Sequence, residues 1–180
     1  MMLSGYGIEL SLVTEDKIEK IRGWRNHPEI IDVMLDKNEI SSEEQKAWFQ
    51  SLKEKQHCLY LLISYKNEDI GMIYAQVGEN LSLTMAKSIS PGLYIAPDCK
   101  YKNSVLAFCP SLVFIDYLFK QGTCEELVAQ VFEFNESAIR YNKMLGYQTV
   151  GVDEQGLLTM RLNRSDFEFA KKELSKILRF

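Results

Sequence analysis

Apolar and polar residues alternate over Ile8–Val13 (I-E-L-S-L-V), the period of a half-buried strand. The spacing then changes. Ile18, Ile21, Arg22 and Trp24 recur at helical intervals behind Thr14, which is suited to an N-cap, and Asn26-His27-Pro28 ends the run. Ser41 or Ser42 opens a second predicted helix with Glu43 and Glu44 in its first turn, where the helix dipole favours acids, and Ala47, Trp48 and Leu52 supply its buried face. Leu59–Tyr65 and Ile70–Val77 read as hairpin strands around the turn Asn67-Glu68-Asp69. Separate strands are predicted over Leu81–Ile89 and over Pro91–Pro97. A long apolar helix follows from about Ser104 to Gln121, with Pro110 inside it as a kink. Leu127–Phe134 is a strand, and Asn135–Leu145 a helix closed by Gly146. Strands near Gln148–Val152 and Leu157–Leu162 and a helix from Asp166 to Phe180 complete the order. That order predicts one mixed α/β (α+β) domain over residues 1–180, with a central, mostly antiparallel sheet flanked by helices.

Composition narrows the function classes. Hydrophobic residues make up 46% of the 180, ample for one core, and the formal net charge is -4. That balance argues against nucleic acid as a partner, since phosphate-binding domains carry a basic stripe. Cys58, Cys99, Cys109 and Cys124 are scattered and form no C-x-x-C pair, and His27 and His57 stand apart from them, so no metal site is expected. Unpaired cysteines suit a reducing, cytoplasmic setting. The N-terminal residues lack the basic and apolar regions of a signal peptide, and the most apolar stretch, Val105–Phe119, is too short to span a bilayer, so no membrane role is expected.

One segment carries chemistry. Asn135–Tyr147 reads N-E-S-A-I-R-Y-N-K-M-L-G-Y directly after a buried strand. It resembles the N-x-x-A-x-x-x-Y-x-K-x-G-F/Y segment of the GNAT superfamily of N-acetyltransferases, in which the asparagine caps a helix and the glycine lets the chain reverse. Upstream, Trp24-Arg25-Asn26, with Pro28-Glu29-Ile30 and the Ser-Ser-Glu-Glu-Gln helix, is similar to two branches of that superfamily. One acetylates an amino sugar on a nucleotide, and the other acetylates the N-termini of ribosomal proteins. The resemblance implies acetyl-CoA as co-substrate, no metal, and a small amine as acceptor. Trp24, Arg25, His27 and Trp48 are then the acceptor-contact candidates; plain core packing is the alternative for the tryptophans, and an ion pair with Glu29 for Arg25.

The same resemblance places pantetheine along the backbone of Leu93, Tyr94 and Ile95, with Asn135 nearby. It places pyrophosphate on Lys100, Lys102, Asn103, Ser104 and Val105, where free N–H groups at a helix start converge on an anion. The sequence departs from the pattern here: Asn103 stands for the first glycine, and Val105 for a small residue. It departs again at the thiolate acid, where Asn142 occupies the tyrosine position and Tyr141 sits one residue earlier, about 100° around the helix. Glu79 and Glu133 are the candidate bases for the amine. A non-catalytic binding module of the same fold is the reading of a different class that these departures motivate. The terminal helix, apolar at Ile177, Leu178 and Phe180, offers a surface for its own core or for a second copy in a homodimer.

Overall fold

Two tight hairpins begin the sheet in the computed structural model, which describes residues 1–178. β1 (Met2–Gly5) and β2 (Ile8–Leu12) pair antiparallel about Tyr6-Gly7, whose φ angles of 53° and 73° are those of a type I′ turn. The period-2 pattern of residues 8–13 foreshadows β2, whereas β1 has no such signal. β3 (Cys58–Tyr65) and β4 (Glu68–Gln76) turn the same way at Lys66-Asn67, φ 50° and 64°. The turn therefore falls one residue earlier than expected, and Glu68 and Asp69 belong to the strand.

α1 (Ile18–Arg25) follows a 3-10 turn over Glu15–Lys17. Thr14 caps that turn only by backbone position, because its hydroxyl donates to Asp16 Oδ1 (2.6 Å). A further short helix, α2 (Pro28–Ile31), is absent from the periodicity because it is a single turn, started by Pro28 and capped by His27 Nδ1, which accepts from Glu29 N. α3 (Ser42–Ser51) starts with a full capping box between Ser41 and Glu44. Its inward face is not the one expected. Ala47 is exposed and Trp48 and Leu52 half-buried, while Gln45 is buried and donates from Nε2 to the Ile18 carbonyl (3.0 Å).

The two strands expected over residues 81–97 are one. β5 (Ser88–Ile95) runs straight through Pro91, and Leu81–Lys87 is turn and loop. Proline is tolerated there because the strand changes partners around it. Ser88 and Ile89 pair in parallel with β6 (Glu126–Phe132), whereas Ser90–Ile95 pair only with β4. Beyond Ile89 the β5 and β6 strands part. The long helix also starts later than expected: Val105–Phe108 is a 3-10 turn, and α4 is Cys109–Lys120. Pro110 thus lies in the first turn, where its missing N–H removes no intrahelical bond, and it makes no kink.

α5 (Glu136–Met144) is bounded as the motif implies. Asn135 Oδ1 accepts from Ala138 N (3.2 Å). At the other end Gly146 (φ 99°) closes a Schellman motif, with Gly146 N donating to Lys143 O and Tyr147 N to Asn142 O, both 3.0 Å. β7 (Gln148–Val152), β8 (Leu157–Asn163) and α6 (Arg164–Leu178) end the description; Phe180, named with the terminal helix above, lies outside it. The eight strands form one sheet in the order β1-β2-β3-β4-β5-β6-β8-β7, antiparallel except between β5 and β6. Strand alternation divides its side chains between two layers. Leu61, Ile63, Ile73 and Leu127 pack with α4 and α6 in the larger core, and Leu62 and Met72 pack with Ile21, Trp24 and Ile30 in the smaller one.

Candidate active site

Where β5 and β6 part, a cavity of about 640 Å³ opens between them. Pro91–Ile95 line it from β5 and Val128–Val131 from β6, so backbone edges that no strand occupies face each other across it. Ser111, Phe114 and Ile115 of α4 close one side. Asn135, Ser137, Ala138, Tyr141 and Asn142 bring the start and inner face of α5 to it, and Lys102 and Asn103 border it from the loop before α4. The side that holds the acceptor-contact candidate Arg25 is walled also by Ile30 and the loop from Val33 to Asp36, over a floor of Tyr60, Tyr74, Gln76 and Tyr94.

The tyrosine floor has no motif and was not foreseen. Its signal is only that Tyr60, Tyr74 and Tyr94 occupy same-face strand positions. Tyr60 and Tyr74 are stacked (centroids 5.2 Å, 22°), and Trp48 meets Tyr60 edge-on at 5.2 Å, so that tryptophan supports the floor from behind. A Cβ at Gly92 would stand 2.4 Å from the Tyr74 ring, so glycine is what lets this ring lie across β5. Burial pushes the Tyr60 phenol up to about 12, helped by the adjacent Tyr74; burial also raises Tyr74, against the opposing charge of Arg25, and raises Tyr94. All three are neutral hydrogen-bonding walls at neutral pH.

Arg25 is the cation of this wall. Its Nη2 donates to the Asp36 carbonyl, and its Nη1 is buried with no partner among the described residues. The ion pair with Glu29 does not form, because Glu29 bonds Lys102, whose Nζ also donates to Pro97 O (3.1 Å). That contact holds the Glu29 carboxyl below its usual range and links α2 to the loop before α4. An unpartnered buried guanidinium N–H is costly unless a ligand satisfies it.

The structure thus brings together Leu93, Tyr94, Ile95, Lys102, Asn103, Asn135, Tyr141, Asn142 and Arg25, and leaves the remaining candidates outside the cavity. Trp24 is 7% exposed in the smaller core, and His27 is the cap of α2. Lys100 reaches out to Glu68 (3.4 Å) and over the Tyr101 ring. Ser104 Oγ donates to Tyr101 O (2.7 Å), closing a turn, and Val105, itself exposed, begins the half-buried 3-10 segment. Glu79 is exposed on the loop after β4, which ends at Gln76, and Glu133 lies against Gly156 in the β7–β8 turn.

Tyr141 is inside but occupied. Its hydroxyl donates to Ala107 O (2.9 Å) and shares a hydrogen bond with Ser111 Oγ (2.8 Å), its ring stacks on Phe108 (4.6 Å), and burial raises its pKa. Asn142 Nδ2 points at a sulfur, Met160 Sδ, at 3.7 Å. Among the described residues no group of three or more His, Cys, Asp or Glu side chains is placed to hold a metal, and no helix is long and apolar enough to cross a membrane.

Known proteins share this chain's sequence pattern and fold. The family model of the acetyltransferase (GNAT) domain matches residues 10–157. The acetyltransferase PseH of Campylobacter jejuni (strain 81-176) is 28% identical over 162 residues, 88% of this chain and 96% of that protein. Among solved structures, Mycobacterium smegmatis RimJ in complex with CoA-disulfide superposes with a TM-score of 0.75 at 14% identity, over 98% of this chain and 92% of that one. The aminoglycoside acetyltransferase AAC(6')-Ib in complex with coenzyme A gives 0.73 at 17% identity, over 90% and 98%.

Proposed function

The chain belongs to the acetyltransferase (GNAT) family, and on that footing we propose that it transfers an acetyl group from acetyl-CoA to the amine of a small acceptor, an amino sugar carried on a nucleotide being favoured. The observation that carries this reading is the parting of β5 and β6, which leaves the Pro91–Ile95 edge without a strand partner inside a cavity that also holds the capped start of α5. An extended pantetheine arm satisfies such an edge, and a main-chain N–H among Leu93–Ile95 is suited to polarise the thioester oxygen. Lys102 and Asn103 are the phosphate contacts this reading retains.

The reaction needs few side chains. The neutral amine attacks the thioester carbon, the C–N bond forms, and the C–S bond breaks. The proton shed by the amine is the one the thiolate takes, through cavity water. Asn142 supplies a hydrogen bond to the leaving sulfur without giving up a proton, and Tyr141 is structural, since its hydroxyl is engaged twice. No carboxylate base is assigned: Glu79→Gln and Glu133→Gln are expected to keep acetyl transfer within about twofold of wild type.

Calorimetric titration with acetyl-CoA, followed by release of CoA thiol in the presence of acceptor, tests the reading. Binding, and acetylation of a nucleotide-linked amino sugar in preference to an alanine- or serine-starting peptide, is expected. No binding of acetyl-CoA or CoA at millimolar concentration overturns it, and preference for the peptide moves the acceptor to a protein N-terminus.

A further inference from the structure

The acceptor side of the cavity carries a second feature, whose meaning rests on the acceptor reading above. The loop joining α2 to α3 is pinned at two points. Asn26 clamps Ile40, with Nδ2 donating to its carbonyl (2.8 Å) and Oδ1 accepting from its N–H (2.9 Å), and Arg25 holds the Asp36 carbonyl. Between these pins Lys37 reaches across to β6, its ammonium 5.3 Å from the Phe132 ring centroid and 5.6 Å from that of Phe134. The two rings are stacked, 5.1 Å apart and 12° from parallel.

Core packing does not account for this arrangement, because Phe134 is 63% exposed. Nor does an ion pair, because Lys37 has no carboxylate partner among the described residues. The peptide next to Lys37 is the one that holds Arg25, whose other nitrogen is buried and unsatisfied. Lys37 and Phe132 are the chain neighbours of Asp36 and Val131, which line the cavity, so a cation without a carboxylate and an exposed aromatic face stand beside the wall that carries Arg25. Cations suit phosphate oxygens, and an exposed ring suits a planar base.

We propose that Lys37, Phe132 and Phe134, together with Arg25, form the subsite for the nucleoside diphosphate end of the acceptor. The base stacks on Phe134, and the diphosphate lies between Lys37 and Arg25, so that the sugar amine points inward over the tyrosine floor.

Titration of UDP into the chain saturated with CoA, which blocks the co-substrate's own nucleotide site, tests this. Wild type is expected to bind UDP; Phe134→Ala and Phe134→Leu to weaken it about tenfold, Lys37→Ala about threefold. Uridine is expected to keep the dependence on Phe134, and pyrophosphate to keep that on Lys37 and lose that on Phe134. No binding of UDP to wild type, or equal affinity in Phe134→Ala and Lys37→Ala, overturns the subsite. Thiol release reads the parent reading separately. A chain that acetylates amines without binding UDP loses only the subsite, and one that binds UDP through Phe134 without acetylating any amine loses only the enzymatic proposal.

Discussion

On the face of the sheet covered by α4 and α6, Leu61, Ile63, Ile73 and Leu127 meet Leu112, Phe114, Phe119 and Phe167, and Ser111 is the polar residue buried among them. On the other face Leu62 and Met72 meet Trp24, and beside them on the same face of β3, β4 and β5 are Tyr60, Tyr74 and Tyr94, next to an arginine with an unsatisfied nitrogen. One layer is closed and apolar. The other is left open, with donors held in place by packing from behind. Folding free energy resides mainly in the first, where apolar area is fully removed from water. The second keeps groups that folding alone does not satisfy, and a bound acceptor would satisfy them.

The largest test of that division is Phe167→Ala. The side chain is fully buried, 5.9 Å from Phe119, and its loss is expected to cost about 3–5 kcal/mol in urea unfolding, with acetyl-CoA affinity unchanged in the fraction that stays folded. On the open face Arg25→Ala is expected to reverse the pattern. Acceptor kcat/KM falls roughly thirtyfold, about 2 kcal/mol, while stability holds or rises because a buried unpaired donor is gone. Arg25→Lys is expected not to restore the rate, since an ammonium cannot reproduce the guanidinium fork that reaches Asp36. Equal losses of stability and activity in both variants would erase the distinction between the faces.

A smaller effect probes the end of α5, whose start and inner face border the cavity. Gly146→Ala places a Cβ 2.8 Å from the Asp166 carbonyl oxygen at φ 99°, and is expected to cost about 1–2 kcal/mol, read as a fall in melting temperature. The smallest concerns Asp69, which ties β4 to Lys17 (2.9 Å) and Lys20 (3.0 Å). Burial pushes its carboxyl up, and the hydrogen bonds from Lys17 and Lys20 outweigh this and hold it below its ordinary value. A carboxyl so lowered adds stability above its unfolded pKa, near 4, and loses it as pH falls through the folded value. Asp69→Asn is therefore expected to cost under about 1 kcal/mol at pH 7, with wild type and variant converging as pH falls through the lowered folded value.

Local rules made much of this protein legible in advance. Ser41 with Glu44, Asn135 with Ala138, and Gly146 after Leu145 are capping signals that act within one helical turn, so the elements they bound fall where their residues place them. The alternation in β2 and the apolar runs of β3 and β4 on either side of their turn likewise mark strands whichever partners they take. The errors arose where a partner decided. Pro91 reads as a strand boundary, yet it lies inside β5 because the β6 side is open there. Pro110 reads as a kink, yet a 3-10 turn moves the start of α4 past it.

The candidate site divides along the same line. The Asn135–Tyr147 segment is contiguous, and its residues reach the cavity together because one helix carries them. Tyr60, Tyr74, Gln76 and Gln130 converge only through strand register, which no short window of sequence contains. Glu79 and Glu133 are acids near strand ends by sequence, and the register and turns of those strands face them away. The sequence by itself determined most of the elements, the caps of α3 and α5 and the family motif, because those depend on neighbours within a few residues. Only the tertiary structure decided which side chains face the gap between β5 and β6, because that depends on where two strands stop pairing.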